Sequence, residues 1–400
     1  MGLWQGARRW RILARRACPM SSCWLLVRRF SPLLLLVALP ALAGAQPPGH
    51  PAEAKAAAAS SGSDVPGQDP VLAAMSAELE RSRKELRLEG YETPYFISYQ
   101  VGEIHRKMLS ARFGAVIVDG EARNRQAHVE VRVGDYGFDS SGVDATDYDR
   151  YVAYVPDEVM PLEDDPAAVR GTLWLLTEQR YKQAITSYLK RKAQRVYEVK
   201  KDAASFSSEP PVRHRDPPRA LQLDEAAWSE RLRRVSTQMC RRPTVIDSSI
   251  RLMATRERRW QVNTEGSQVL TERLLYSLQI GAYSRAEDGM LLENERSYYA
   301  DLQEGLPGAT KLQQDVDQML NELEALRDAE LFNPYVGPAI LEPDAAGVLF
   351  HEAIGHRLEG HRQKEENEGQ TFKGRLGTRI LPEFLNVSDD PTLPRWGTQS

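Results

Sequence analysis

The sequence predicts an α+β fold: antiparallel strands in runs with helices packed against them, rather than a doubly wound parallel sheet. Three observations carry this. Strand-like stretches follow one another instead of alternating with helices. Tight-turn signals punctuate them at Asp119-Gly120, Asn263-Thr264-Glu265-Gly266 and Asp288-Gly289. Two helices open on Asp-Pro pairs, Asp69-Pro70 and Asp165-Pro166, which supply an N-cap acceptor and a proline at the first helical position. The expected architecture is an N-terminal antiparallel meander with packed helices, a second β-rich central domain, and a strand leading into a helix near the C-terminal end. No internal repeat, glycine-rich phosphate loop or nucleophile elbow is present.

The first predicted helix carries Leu72, Met75, Leu79 and Leu86 near one face. Strand signals follow at Tyr95 to Tyr99, at Ala115 to Val118 up to the Asp119-Gly120 turn, and at Val129, Val131 and Val133. His105 and His128 read as surface or cross-strand residues. The helix from Asp165 carries Leu173, Leu176, Ala184 and Tyr188, and its run of Lys190, Arg191, Lys192 and Arg195 reads as a solvated face. Prolines and charges over 201–219 mark a domain boundary, separating an N-terminal domain at 69–200 from a central domain at 220–330. A short helix around Leu221 to Cys240, strands over 245–282 and a long helix after Gly308 with Leu312, Val316, Leu320, Leu323 and Leu326 fill the latter. Val336 to Leu341 reads as a strand. Pro343-Asp344 then starts a helix whose Ala345, Ala346, Val348 and Leu349 are expected to be buried, with Gly360 as its stop.

Composition excludes several classes. Of 400 residues 27% are charged, with a net charge of -4, so no nucleic acid or anionic surface is called for as a partner. Cys18, Cys23 and Cys240 are the only cysteines, too few for a disulfide framework or a C-x-x-C knuckle. Arg28 and Arg29, the apolar run Pro32 to Leu42 and the Ala43-Gly44-Ala45 site read as a cleaved signal peptide over 1–45. An exported, periplasmic or secreted protein is therefore expected, with either Met1 or Met20 as the start. Residues 46–68, rich in Pro, Ala, Gly and Ser, read as a disordered linker.

The chemistry concentrates in Phe350 to His361, which holds three of the seven histidines. His351, Glu352 and His356 have the order H-E-x-x-x-H, one residue longer than the zinc-hydrolase helix H-E-x-x-H. On a regular α-helix residues five apart diverge by about 140°. A single π-type turn corrects this, and Gly355 lowers the cost of such a distortion. With that geometry His351 and His356 are Zn2+ ligands, and Glu352 is the general base on the water the metal activates. Catalytic zinc takes three protein ligands as a rule. His361 is the candidate third ligand; Glu359, Asp389 and Asp390 are alternatives. Cys240 reads as a small buried hydrophobe.

The run His351-Glu352-x-x-Gly355-His356-x-Leu358-Glu359-Gly360 resembles the signature of the TldD/PmbA metallopeptidases, also described as modulators of DNA gyrase. Asn263-Thr264-Glu265-Gly266 resembles their N-S-E-G turn, and Tyr335-x-Gly337-Pro338 their approach to the motif helix. The resemblance spans about residues 69–391. It implies a zinc-dependent peptidase acting on flexible peptides inside a dimer-enclosed chamber, as a homodimer or with a paralogous subunit. It also implies a third ligand, a cysteine, in a C-terminal domain, so that 331–400 is expected to be the start of a catalytic domain with its end missing. Three departures from the family are His361 where Asp is common, the export signal, and that missing cysteine. The alternative reading is a non-catalytic peptide-binding or scaffold subunit of such a dimer.

Overall fold

A computed structural model describes residues 69–141, 158–195, 204–360, 369–390 and 392–393. The predicted signal peptide, the 46–68 linker and His361 lie outside the described residues. Two compact units result, one containing 66–330 and 357–400, the other containing 331–356.

The larger unit is built on antiparallel strands, and ladder partners rather than local signals set their lengths. Helix α1 (Pro70–Glu85) starts as expected: the Asp69 carboxylate accepts the Leu72 N–H at 3.0 Å. β1 (Pro94–Arg112) and β2 (Ala115–Val133) form a long hairpin. Its turn lies at Phe113-Gly114, both with positive φ (51° and 80°). Asp119-Gly120, the expected turn, sits inside β2 opposite Leu109 and Met108. The ladder with β1 overrides the local turn signal, and Gly120 does not use the left-handed conformation that makes the pair a hairpin turn.

β3 (Glu158–Val159), α2 (Pro166–Arg195), β4 (Arg213–Arg215) and α3 (Glu225–Cys240) follow. Next come β5 (Asp247–Asn263), β6 (Gln268–Arg285), β7 (Leu291–Ala300) and α4 (Ala309–Arg327). The turns at Asn263 to Gly266 and at Asp288-Gly289 form where expected, with Gly266 and Gly289 at φ 101° and 86°. The strand order is β3-β2-β1-β5-β6-β4, with β7 also on β6. β4 runs parallel to β6 at Gln268 to Leu270, and β7 antiparallel to it at Tyr276 to Arg285.

β1 pairs with β5 from Ser98↔Asn263 to Ala111↔Ile250. Strands assigned by sequence to separate domains at 69–200 and 220–330 are thus neighbours in one sheet. The proline-rich stretch, described from residue 204 to 219, contributes β4 to that sheet.

Two hydrophobic cores share one sheet face. Ile97, Tyr99 and Val101 of β1 pack with Met75, Leu79, Leu173 and Tyr181 of α1 and α2. Leu109 and Ala111, of the same parity in β1, pack with Leu232 and Met239 of α3 and Val316 and Leu320 of α4. Between the cores runs a row of alternating charge across four strands, Arg125–Glu103–Arg258–Glu272, set by direct register. Arg125 and Glu103 are 0% and 1% exposed and 2.6 Å apart; Arg258 and Glu272 approach to 2.8 Å. Asp69 closes the row from above, bonding Trp260 Nε1 at 2.9 Å and pairing with Arg258 at 3.0 Å. A lone buried charge is prohibitive, so alternation is what allows this band to exist.

His105 bonds Glu121 across the hairpin, as its cross-strand reading anticipates. Arg191 departs from the solvated-face reading, donating to the Asp139 carbonyl at 2.5 Å. Cys240 is exposed rather than buried. The buried face of α3 runs through Trp228, Leu232, Val235, Ser236 and Met239, and residue 240 falls about 100° off Met239.

In the smaller unit residues 331–342 contain no strand. The expected strand at Val336 to Leu341 does not form: Pro338 lacks an N–H, and no described strand offers this stretch a ladder. Helix α5 (Pro343–Phe350) starts at Pro343 as expected but buries none of its residues. Val348 and Leu349 are 59% and 55% exposed. A small apolar composition established helix formation there and not burial. Among the described residues no helix is long and apolar enough to cross a membrane.

Candidate metal centre

α5 is entered through a backbone bond from Ala346 N–H to the Glu342 carbonyl at 2.8 Å, with Pro343 at a position whose missing N–H costs nothing. The regular ladder runs to His351, whose N–H is shared between the Gly347 and Val348 carbonyls. It then widens. Residues His351–Gly355 form a π turn, and the His356 N–H reaches the His351 carbonyl five residues back. The helix resumes at His356–Leu358 (α6) and stops two residues before Gly360, the predicted terminator.

The widened turn brings together what a regular helix would separate. The His351 and His356 rings lie 4.4 Å apart between centroids and 64° between planes, edge to face. His356 Nε2 is 4.0 Å from Glu352 Oε2. One ligand atom from each of His351, Glu352 and His356 lies within 4.8 Å of the others. Glu352 and His351 are exposed and His356 is intermediate.

Gly355 is less demanding than the sequence suggests. Its φ is not left-handed, and an added Cβ would meet the Phe350 carbonyl at 3.8 Å and His351 Nδ1 at 3.9 Å, ordinary contact distances. The glycine leaves that flank of the His351 ring uncovered; it is not sterically required for the π turn.

The three residues named by the motif form the one group among the described residues able to hold a metal ion. Of the proposed third ligands, the described Glu359, Asp389 and Asp390 are not part of it. His361 lies outside the described residues. Asp389 and Asp390 are exposed, and the Asp390 carboxylate accepts the Thr392 N–H at 3.0 Å and its hydroxyl at 2.6 Å. Those bonds hold the Asp390 carboxyl below its ordinary pKa. Glu359 follows the helix end, and Cys240 belongs to α3. The two imidazoles suit zinc among the common ions.

A His–Glu–His group on one helical face, open to solvent, is the equipment of a metal-dependent hydrolase. Residues 334–400 match the PmbA/TldA metallopeptidase C-terminal domain. The chain is 39% identical over 59 residues to a metalloprotease of Archaeoglobus fulgidus, a match covering 14% of this chain and 13% of that protein. Over 56 residues it is 36% identical to a metalloprotease TldD homolog of Haemophilus influenzae, covering 14% and 11%. A candidate DNA gyrase modulator of Bacteroides thetaiotaomicron aligns in structure with a TM-score of 0.47 at 10% identity, covering 78% of this chain and 62% of that one. The matched segment therefore spans about an eighth of the curated relatives' length.

Proposed function

We propose that this chain carries the zinc-binding helix of a peptidase that hydrolyses flexible or unfolded peptides. The observation that carries the reading is the π turn at His351–Gly355, which sets three donor atoms within 4.8 Å despite the five-residue histidine spacing. Zinc, when bound, supplies an activated water and polarises the scissile carbonyl. His351 and His356 would hold the ion through neutral imidazole nitrogens. Glu352, adjacent in sequence and 4.0 Å from His356, takes the proton from the attacking water and returns it to the leaving amine. The family resemblance supports action within a dimer, of two copies or with a paralogous subunit. The 1–45 segment supports action after export.

Glu352→Gln tests the assignment, because the substitution keeps shape and removes basicity. Zinc content is expected to stay at the wild-type level while hydrolysis of an unstructured fluorogenic peptide falls by about 10²–10⁴-fold. Undiminished hydrolysis by the variant would remove Glu352 from the base role.

A further inference from the structure

The larger unit contains a cavity of about 390 Å³ at the C-terminal end of α1. Its charged lining residues are Arg83, Lys84 and Arg87, and no carboxylate lines it. Leu86, Pro94 and Ile97 supply apolar wall; Ser82, Thr93, Tyr95 and Thr264 supply hydroxyls. The wall at Thr264 is fixed from two sides. Thr264 N–H donates to the Ile97 carbonyl at 2.9 Å and its hydroxyl accepts the Ile97 N–H at 3.1 Å. Its neighbour Glu265 accepts from the Tyr136 hydroxyl at 2.8 Å.

The charge balance favours an anion. Arg83 forks onto both oxygens of Glu80, and Lys84 reaches the same carboxylate at 2.9 Å. One negative charge thus serves two cations. Arg87 bonds the Lys84 carbonyl and has no carboxylate partner among the described residues. The C-terminus of α1 contributes roughly half a negative charge, less than the two positive charges left over. Complementing the helix end explains Arg83 and Lys84; it does not account for a cavity whose walls pair those charges with an apolar surface.

We propose that this cavity binds the C-terminal carboxylate of a peptide, with the side chain of the last residue on the Leu86, Pro94 and Ile97 wall. The volume is within the range of small-molecule sites, and a bare inorganic anion would leave the apolar wall unused. The choice of a peptide rests on the peptidase reading, but occupancy of the cavity requires neither zinc nor hydrolysis.

The test is fluorescence anisotropy on the full chain in EDTA, using an N-terminally labelled hexapeptide, five alanines and a terminal leucine, with a free carboxylate or an amide. The free acid is expected to bind at least about tenfold more tightly than the amide, a difference of about 1.4 kcal/mol. Arg87→Glu, and independently the milder Lys84→Gln, should weaken the acid and leave the amide unchanged, with circular dichroism as the check on folding. Equal binding of acid and amide, no saturable binding by folded wild type, or full competition by equimolar inorganic phosphate would overturn the proposal. A failure here leaves the Glu352→Gln result standing, so the two readings fail separately.

Discussion

The sheet unit and the motif segment use apolar residues in opposite ways. In the sheet unit, Leu320 and Met319 of α4 and Trp260 of β5 are wholly buried, and two cores hold helices against one face. In residues 331–358 no helical residue is buried, and Val336 and Ile340 are essentially fully exposed. Yet this second region holds a π turn with converging histidines. Burial stabilises the first region; in the second, backbone hydrogen bonding over a short stretch fixes the donors without a core beneath them. The convergence of His351 and His356 thus follows the widened helix turn, and bulk packing sets stability elsewhere.

This contrast can be broken by substitution. The largest effect is expected from Arg125→Ala, which leaves Glu103 buried without its closest partner. Burial pushes the Glu103 carboxyl up, and Arg123 and Arg125 more than reverse it, holding it below the ordinary range. Urea unfolding should show a loss of about 3–5 kcal/mol. A loss under about 1 kcal/mol would mean that the charged row contributes little to joining the two cores. Leu320→Ala, at 0% exposure, should cost about 2–5 kcal/mol.

Acid titration reports a smaller term. Burial would raise the Glu322 carboxyl, but Arg296 and Asn294 lower it to about 2 from 4.5. A depressed folded-state value means that the stability is complete above about pH 4.5 and lost as pH falls toward 2. Glu322→Gln should flatten that part of the acid limb by about 1 kcal/mol or less, the group being partly solvated. Smallest of all, Leu349→Ala on the exposed face of α5 should stay within about 0.5 kcal/mol. Equal costs for Leu320→Ala and Leu349→Ala would erase the distinction between the regions.

Legibility in the sequence followed the range of the interactions. Asp69-Pro70, the Asn263 to Gly266 turn and the H-E-x-x-x-H spacing are decided within a few residues. The cap, the turn and the widened helix all form where those signals stand. Asp119-Gly120 carries an equally local signal, but a ladder running from Pro94 to Val133 overrides it. The charged row was illegible for a related reason. No local pattern links Glu103, Arg125, Arg258 and Glu272; only register across four strands makes them neighbours. Val336 to Leu341 shows the converse, strand-like residues with no described strand alongside. At the candidate site, the convergence of His351, Glu352 and His356 was legible from their spacing, whereas a third ligand depends on tertiary placement that spacing does not encode.

The most direct test of the central claim, that the π turn makes His351 and His356 a joint metal site, is zinc content after loading and gel filtration. Wild type should retain about one equivalent, and His351→Ala and His356→Ala should each fall below about a tenth. A full equivalent retained by either single variant, or less than about a tenth in wild type, would contradict it.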